Sequence, residues 1–299
     1  TGLYVEGNIK YNTTSLFSEN IRLFPDSISS IIEKGFMLSG NTKKNSFMYP
    51  DIEFTNLDFR FFNEQEDFAF FKYDSILDPN ILGYGGEVEI IGDIYVSSDK
   101  VTSYGKIETN NSSFISDNFS YNQNLIVSEK TSLKLSTSNH TKGLMEAEDV
   151  FFKYDLAKNK MEFKSLFFDE RNFIFPEYNL STSLSNAEWL ISKGSIEVNA
   201  SSDEIHSVYS LSNNFYNWDF ISNSFSLDLN TKTINAKGVP DIQVADAYII
   251  PENEELYIRE GFQILPLSNS VLVLDTINEF HRFINSNVSV ITKDKFEGK

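Results

Sequence analysis

Along most of the chain apolar and polar residues alternate over short runs, and apolar residues seldom recur at the i, i+3, i+4, i+7 spacing of a helix face. The apolar positions are mostly β-branched or aromatic, which suits pleated strands. The runs Phe119–Val127, Phe225–Ile234 and Ala247–Ile258 each read as strand, polar turn, strand. So does Phe151-Phe152-Lys153-Tyr154-Asp155, which leads through Leu156–Lys160 into Met161–Lys164. Side chains of one parity share a face, so this pattern puts Phe151, Met161 and Phe163 on the buried side. Two stretches, Asp26–Lys34 and Asn186–Ser192, have apolar spacing enough for a single helical turn. The pattern predicts an all-β protein.

From about Gly83 onward, turn signals fall roughly every 8–12 residues. They lie at Gly92-Asp93, Ser98-Asp99, Asn110-Asn111, Asn122–Asn124, Lys158-Asn159, Asn230-Thr231, Asn253-Glu254 and Ser268-Asn269. Such spacing suits a sandwich, a barrel or a solenoid. The 299 residues exceed the ~250 that one compact core usually holds, whereas stacked rungs extend one core without a second domain. The expected fold is therefore an elongated β-solenoid, a β-helix-like stack of short strands, with β-jellyroll or sandwich domains as the alternative. Residues 1–299 read as one continuous β-repeat region, a piece of a longer chain. Weak boundaries are expected near 74–86, where Pro79 and Gly83-Tyr84-Gly85-Gly86 fall, and near 199–204.

Charge narrows the partners. The chain has 43 acidic and 25 basic residues, a net charge of −18, which argues against binding a phosphate backbone and so against nucleic acid. It has no cysteine, so disulfides, zinc–thiolate sites and thiol nucleophiles are excluded. No apolar segment approaches the ~18–20 residues of a spanning helix. Charges on both parities of many strands speak against an outer-membrane barrel.

Candidate chemistry is sparse. His140, His206 and His281 lack a second histidine at ligand spacing, and His281, between Phe280 and Phe283, reads as a packed structural residue. The acidic clusters Asp51/Glu53, Glu64/Glu66/Asp67, Glu146/Glu148/Asp149, Asp203/Glu204 and Glu252/Glu254/Glu255 lack the glycine of a calcium loop and read as solvated faces. Gly83-Tyr84-Gly85-Gly86 precedes a strand, where a phosphate loop would follow one, so it reads as a turn. No catalytic residue, cofactor or metal site is expected, and the chain does not read as an enzyme. Phe215, Tyr216, Trp218 and Phe220 form the candidate exposed aromatic patch.

The stretch Ala147-Glu148-Asp149-Val150-Phe151-Phe152-Lys153-Tyr154-Asp155, with Asn159 and Met161-Glu162-Phe163, resembles the repeating unit of OstA-like lipopolysaccharide-transport β-jellyroll domains. Irregular spacing and long acidic insertions depart from that unit. Over most of its length the chain resembles large uncharacterised cell-envelope β-repeat proteins of Gram-negative bacteria. The markers are Phe24-Pro25-Asp26-Ser27, Phe175-Pro176 with Tyr178 and Trp189, Val244-Ala245-Asp246-Ala247 with Pro251, and Leu267–Val288. The resemblance implies a bacterial envelope location, in the periplasm or at the outer-membrane surface, and a non-enzymatic structural or binding role. Its implied partners are other envelope proteins or glycans, with lipid as a further candidate. A hydrophobic-ligand or lipid conduit is the alternative, and a polysaccharide-active β-helix enzyme the second alternative.

Overall fold

The computed structural model describes every residue except 1–2, 42–45, 63–67, 111, 137–141, 168–170, 201–204, 279–280 and 299. The protein is all-β, and no α-helix occurs among the described residues. It folds as two compact units, one of residues 1–133 and 151–158, the other of residues 134–150 and 159–299. The expected boundaries fall elsewhere. Asp74–Gly86 lies inside the first unit and Asn199–Ala200 inside the second, while 201–204 lie outside the described residues.

In the first unit, β1 (Leu3–Tyr11) and β2 (Thr14–Leu23) form a hairpin. The next three passes of the chain each break midway. β3 (Ser27–Ile32) and β4 (Lys34–Met37) part at Glu33, and β5 (Ile52–Thr55) and β6 (Leu57–Phe62) part at Asn56. Asn56 has a φ of 57°, a left-handed conformation that asparagine tolerates better than most residues. β7 (Phe68–Lys72) and β8 (Asn80–Gly83) are separated by a 3-10 turn at Ser75–Leu77, and β9 (Val88–Val96) is again unbroken.

The halves of each broken pass join opposite walls. One wall runs β2–β3–β6–β7–β9, the other β2–β4–β5–β8–β9. Because β2 and β9 belong to both, these strands close into an eight-stranded antiparallel barrel. Beyond it come β10 (Val101–Thr109), paired with β9 and with β11 (Ser112–Asn122), then β12 (Leu125–Leu135) and β13 (Met145–Asp155), of which residues 134–135 and 145–150 belong to the second unit. A β-helix stacks parallel rungs, whereas every ladder described here is antiparallel. The solenoid expectation is therefore corrected: turn spacing along the chain is the same for hairpins and for rungs and cannot tell the two apart.

Side chains fill the barrel. Ile52, Phe54, Leu57, Phe59, Ile81 and Ile94 are fully buried. Phe54 stacks on Phe71 with centroids 4.5 Å apart, and Phe59 meets Phe71 at 5.1 Å.

The strands bend through a slip in their alternation. Buried positions run Leu16, Ser18 and then Ile21 in β2; Phe114, Ser116 and then Phe119 in β11; and Ile126, Ser128 and then Thr131 in β12. A step of three replaces the step of two, and the pairs inside it, Glu19-Asn20, Asp117-Asn118 and Glu129-Lys130, are exposed. Each strand thus keeps apolar side chains inward on both sides of its bend. The serines at the bend are buried and pair with one another, Ser30 Oγ donating to Ser18 Oγ at 2.6 Å and Ser116 meeting Ser128 at 2.7 Å. The expected turn at Gly92-Asp93 is such a bend within β9, not a chain reversal. The expected helical turn over Asp26–Lys34 is strand, because Ile28, Ser30 and Ile32 alternate with the pleat.

The second unit follows the same logic with shorter pieces. One ladder runs β14 (Lys160–Ser165), β17 (Asn186–Leu190), β18 (Ser195–Asn199), β21 (Ser224–Asp228), β22 (Thr233–Lys237), β25 (Glu255–Arg259) and β26 (Gln263–Ile264). Another joins β15 (Phe173–Phe175), β16 (Leu180–Thr182), β19 (Ser207–Ser210) and β20 (Asp219–Ile221). A separate five-stranded sheet holds β23 (Ile242–Val244), β24 (Ala247–Ile250), β27 (Leu267–Leu274), β28 (His281–Thr292) and β29 (Lys295–Gly298). Phe175 packs edge-on to Phe225 at 5.1 Å. At a bend between strands, Ser222 is fully buried and donates to the carbonyls of Ser224 (2.9 Å) and Lys237 (3.0 Å). Asn186–Leu190, read as a possible helical turn, is strand and runs into a 3-10 turn at Ile191–Lys193.

Parity is corrected at one place. Met161 and Phe163 are buried in the second unit as expected, but in the first unit the buried residues are Phe152 and Tyr154, with Phe151 half-buried. The slip at Asp149, whose φ is 52°, shifts the alternation by one.

Tyr121 is buried in the first unit, its hydroxyl 2.6 Å from that of Ser103. Burial pushes its phenol well above the ordinary value of 10, and burial does the same to Tyr84. A raised folded-state value means the neutral phenol is favoured by folding. Its contribution is complete below the unfolded value and is lost as pH rises past it. Urea midpoints of the first unit should hold steady to about pH 9 and fall above about pH 10, and Tyr121→Phe should flatten that fall. Equal alkaline slopes in the two proteins would refute the assignment.

Candidate ligand-binding groove

The expected exposed aromatic patch is, but for Tyr216, buried core. Phe215, Trp218 and Phe220 are 4%, 8% and 4% exposed, and only Tyr216, at 65%, faces solvent. Phe262 is the reason: its ring lies 5.3 Å from Phe215 and 5.9 Å from Trp218, closing a core cluster. Trp218 Nε1 donates to the Gln243 carbonyl at 2.6 Å, which satisfies the indole inside.

Of the two described histidines, one is buried and one is exposed. His206 is buried with Nδ1 3.2 Å from the Ser183 carbonyl, whereas His281 is exposed, not packed, because both faces of β28 are open over its first five residues, His281–Asn285. His140, Glu64, Glu66, Asp67, Asp203 and Glu204 lie outside the described residues. Three of the described cluster acids have ordinary partners: Glu146 pairs with Lys134 at 3.0 Å, Glu252 accepts from the Asn269 amide at 3.2 Å, and Glu255 accepts from the Tyr257 hydroxyl at 2.7 Å. No cluster of three or more metal-ligating side chains occurs among the described residues. Gly83–Gly86 is a tight turn, and Tyr84 donates from it to the Asn122 carbonyl at 2.8 Å. No helix among the described residues is long and apolar enough to cross a membrane.

What the structure does assemble lies on the outer face of the barrel. Registers across the first unit set Tyr4 opposite Arg22, Arg22 opposite Ser29, Ser29 opposite Arg60, Arg60 opposite Phe70 and Phe70 opposite Tyr95. Neighbouring strands are about 4.8 Å apart, so the two arginine α-carbons are roughly 10 Å apart with Ser29 between them. Only five arginines occur in the chain, and two stand in this row.

A groove of about 550 Å³ follows the Arg22–Ser29–Arg60 part of the row, lined also by Asn20, Phe24, Ser27, Ile31, Asp58 and Phe62. Arg22 lies over the Tyr4 ring, 5.4 Å from its centroid, and makes no ion pair with a described residue. Arg60 Nη2 pairs with Asp58 at 3.2 Å while its side chain stays half exposed. Phe70 stacks on Tyr95 at 4.8 Å, and Tyr104 follows at 6.4 Å. Asp93 anchors that end, accepting from the Tyr73 amide and from the Tyr104 hydroxyl, each at 2.7 Å. The hydrogen bond to Asp93 raises the Tyr104 phenol above its ordinary value.

Chemically, the arrangement offers two planar guanidinium forks for carboxylates. Ser29 lies between them and Asn20 lines the same groove, and the rings that flank the row can receive apolar sugar faces. Alternation reveals that these residues face outward, but not that they are neighbours, since Arg22 and Arg60 meet only through β3. Comparison with family models, with curated proteins and with solved structures returns no match to this chain.

Proposed function

We propose that this chain is a non-enzymatic structural and binding module of the bacterial cell envelope whose outer sheet face takes an acidic glycan. The observation that carries the reading is the cross-strand row Arg22–Ser29–Arg60 with aromatic rings on both flanks. In a chain of net charge −18, scarce guanidinium groups placed together on one exposed face favour a carboxylate-bearing ligand at that spot. Envelope location rests on the resemblance of the sequence, and the packed interior of the barrel favours a surface ligand over a lipid held inside.

Titration calorimetry with a polyuronate and with a neutral glucan tests it. The polyuronate should bind, more weakly as salt rises, and the neutral glucan should not. Arg22→Ala and Arg60→Ala should each weaken binding roughly 10- to 100-fold, the loss of one charge-assisted contact. Equal affinity for the neutral polymer, or indifference to both substitutions, would sink the reading.

A further inference from the structure

The hairpins β1–β2 and β10–β11 are two copies of one motif. Shifting the sequence by 98 positions superposes Gly7 on Gly105, Ile9 on Ile107, Ser18 on Ser116 and Asn20 on Asn118. Their geometry matches as well. Each first strand has a register shift immediately before its glycine, and that glycine pairs with the bend serine of the second strand. In each, the asparagine amide donates to that serine's Oγ at 3.0 Å.

One thing differs. β10 lies between β11 and β9, whereas β1 pairs with β2 alone among the described strands. In the second copy Gly105 stands opposite Gly92 of β9. A Cβ on Gly92 would lie 2.0 Å from the Tyr104 carbonyl oxygen, and one on Gly105 would lie 2.5 Å from that of Ile91. Only two glycines let the backbones approach so closely. Gly7 carries the same bare α-carbon at a φ of 155°, yet nothing lies within 4 Å of where its Cβ would be. The side chains agree: Leu3 is 64% exposed, while its counterpart Val101 is 1% exposed.

We infer that the free edge of β1 is an acceptor for an antiparallel polypeptide strand of β9 chemistry. That strand carries a glycine opposite Gly7, an apolar residue two positions before it facing Ile9 and another four positions after it facing Leu3, as Ile90 and Val96 face Ile107 and Val101 in the second copy. Backbone hydrogen bonds along the open edge supply affinity, and the glycine requirement supplies register. The inference is independent of the glycan groove.

The test uses a labelled synthetic peptide spanning residues 87–97 and the intact chain, read by fluorescence anisotropy and by amide hydrogen exchange. Saturable binding is expected, with exchange slowed along Leu3–Lys10, the counterparts of the β10 residues that pair with β9. A peptide with Gly92→Val should bind at least about tenfold more weakly, because its Cβ would strike the β1 backbone at Glu6, the counterpart of Tyr104. No binding, protection on β10 instead of β1, or equal affinity for the valine peptide would each overturn the proposal. All substitutions are in the peptide, so the fold of the protein is not in question.

Discussion

Phe71→Ala should lower the unfolding free energy of the first unit by about 3–5 kcal/mol, the usual loss for a buried aromatic ring cut back to a methyl group. Phe71 is 1% exposed and lies between the rings of Phe54 and Phe59, nearly parallel to the first, with an interplanar angle of 3°. Its removal deletes both ring contacts at once. β7 and β5 are fixed in the walls by their ladders to neighbouring strands, so the barrel cannot collapse far enough to refill the space. Urea denaturation should show a lower midpoint at unchanged slope. Ile76→Ala is the control, since Ile76 is 89% exposed and an exposed truncation of this kind costs within about 0.5 kcal/mol. A Phe71→Ala effect no larger than that of the control would mean that the barrel interior is not packed as described.

Gly92→Ala should cost about 3 kcal/mol or more, from two sources that add. The new Cβ would lie 2.0 Å from the Tyr104 carbonyl oxygen, and a backbone atom held in the β9–β10 ladder has no rotamer by which to move aside. The φ of 155° is also one that side-chain-bearing residues rarely adopt, a strain of about 1–3 kcal/mol by itself. Gly85→Ala separates the two. Gly85 has a φ of 68° and open space around its Cβ position, so its cost is the conformational part alone, about 1–2 kcal/mol. Equilibrium unfolding of both variants measures the difference. Equal losses would show that the close approach of β9 and β10 does not exist, which would also remove the ground for reading β1 as an open acceptor edge.

The acidic-glycan groove and the alkaline limit set by Tyr121 depend on different parts of the first unit. The arginines face solvent on the wall β2–β3–β6, whereas Tyr121 is buried on β11. Arg22→Ala should therefore weaken glycan binding without changing the alkaline unfolding slope, and Tyr121→Phe should do the reverse.

The all-β class was legible because alternation is a local property. Phe225 and Leu227, or Ile234 and Ala236, lie two apart, and the pleat turns them to one side wherever their strand is placed. Several turns were legible for the same reason, since asparagines such as Asn159 and Asn253 hold left-handed conformations there. The bends were visible only in part. The run from Ser18 to Ile21 and its copy from Ser116 to Phe119 contain the three-residue slip, but alternation alone does not say whether such a slip is a bend within one strand or a turn between two. The Gly92-Asp93 turn expectation failed on that point.

The aromatic patch failed for a different reason. Phe215, Trp218 and Phe220 lie close together in sequence, and nothing in that stretch reveals that Phe262 covers them. The arginine row has the opposite history: Arg22 and Arg60 are far apart in sequence and become neighbours through Ser29. The sequence by itself determined strand character, most turn positions and the acidic, cysteine-free composition, because those depend on each residue and its near neighbours; the turns expected at Gly92-Asp93 and Ser268-Asn269 lie within strands instead. Only the tertiary structure decided which strands pair, that they pair antiparallel, that eight of them close into a barrel, and which outward residues share a groove. Those outcomes depend on long-range register, and a register is chosen by the packing of whole walls against each other, not by any one segment.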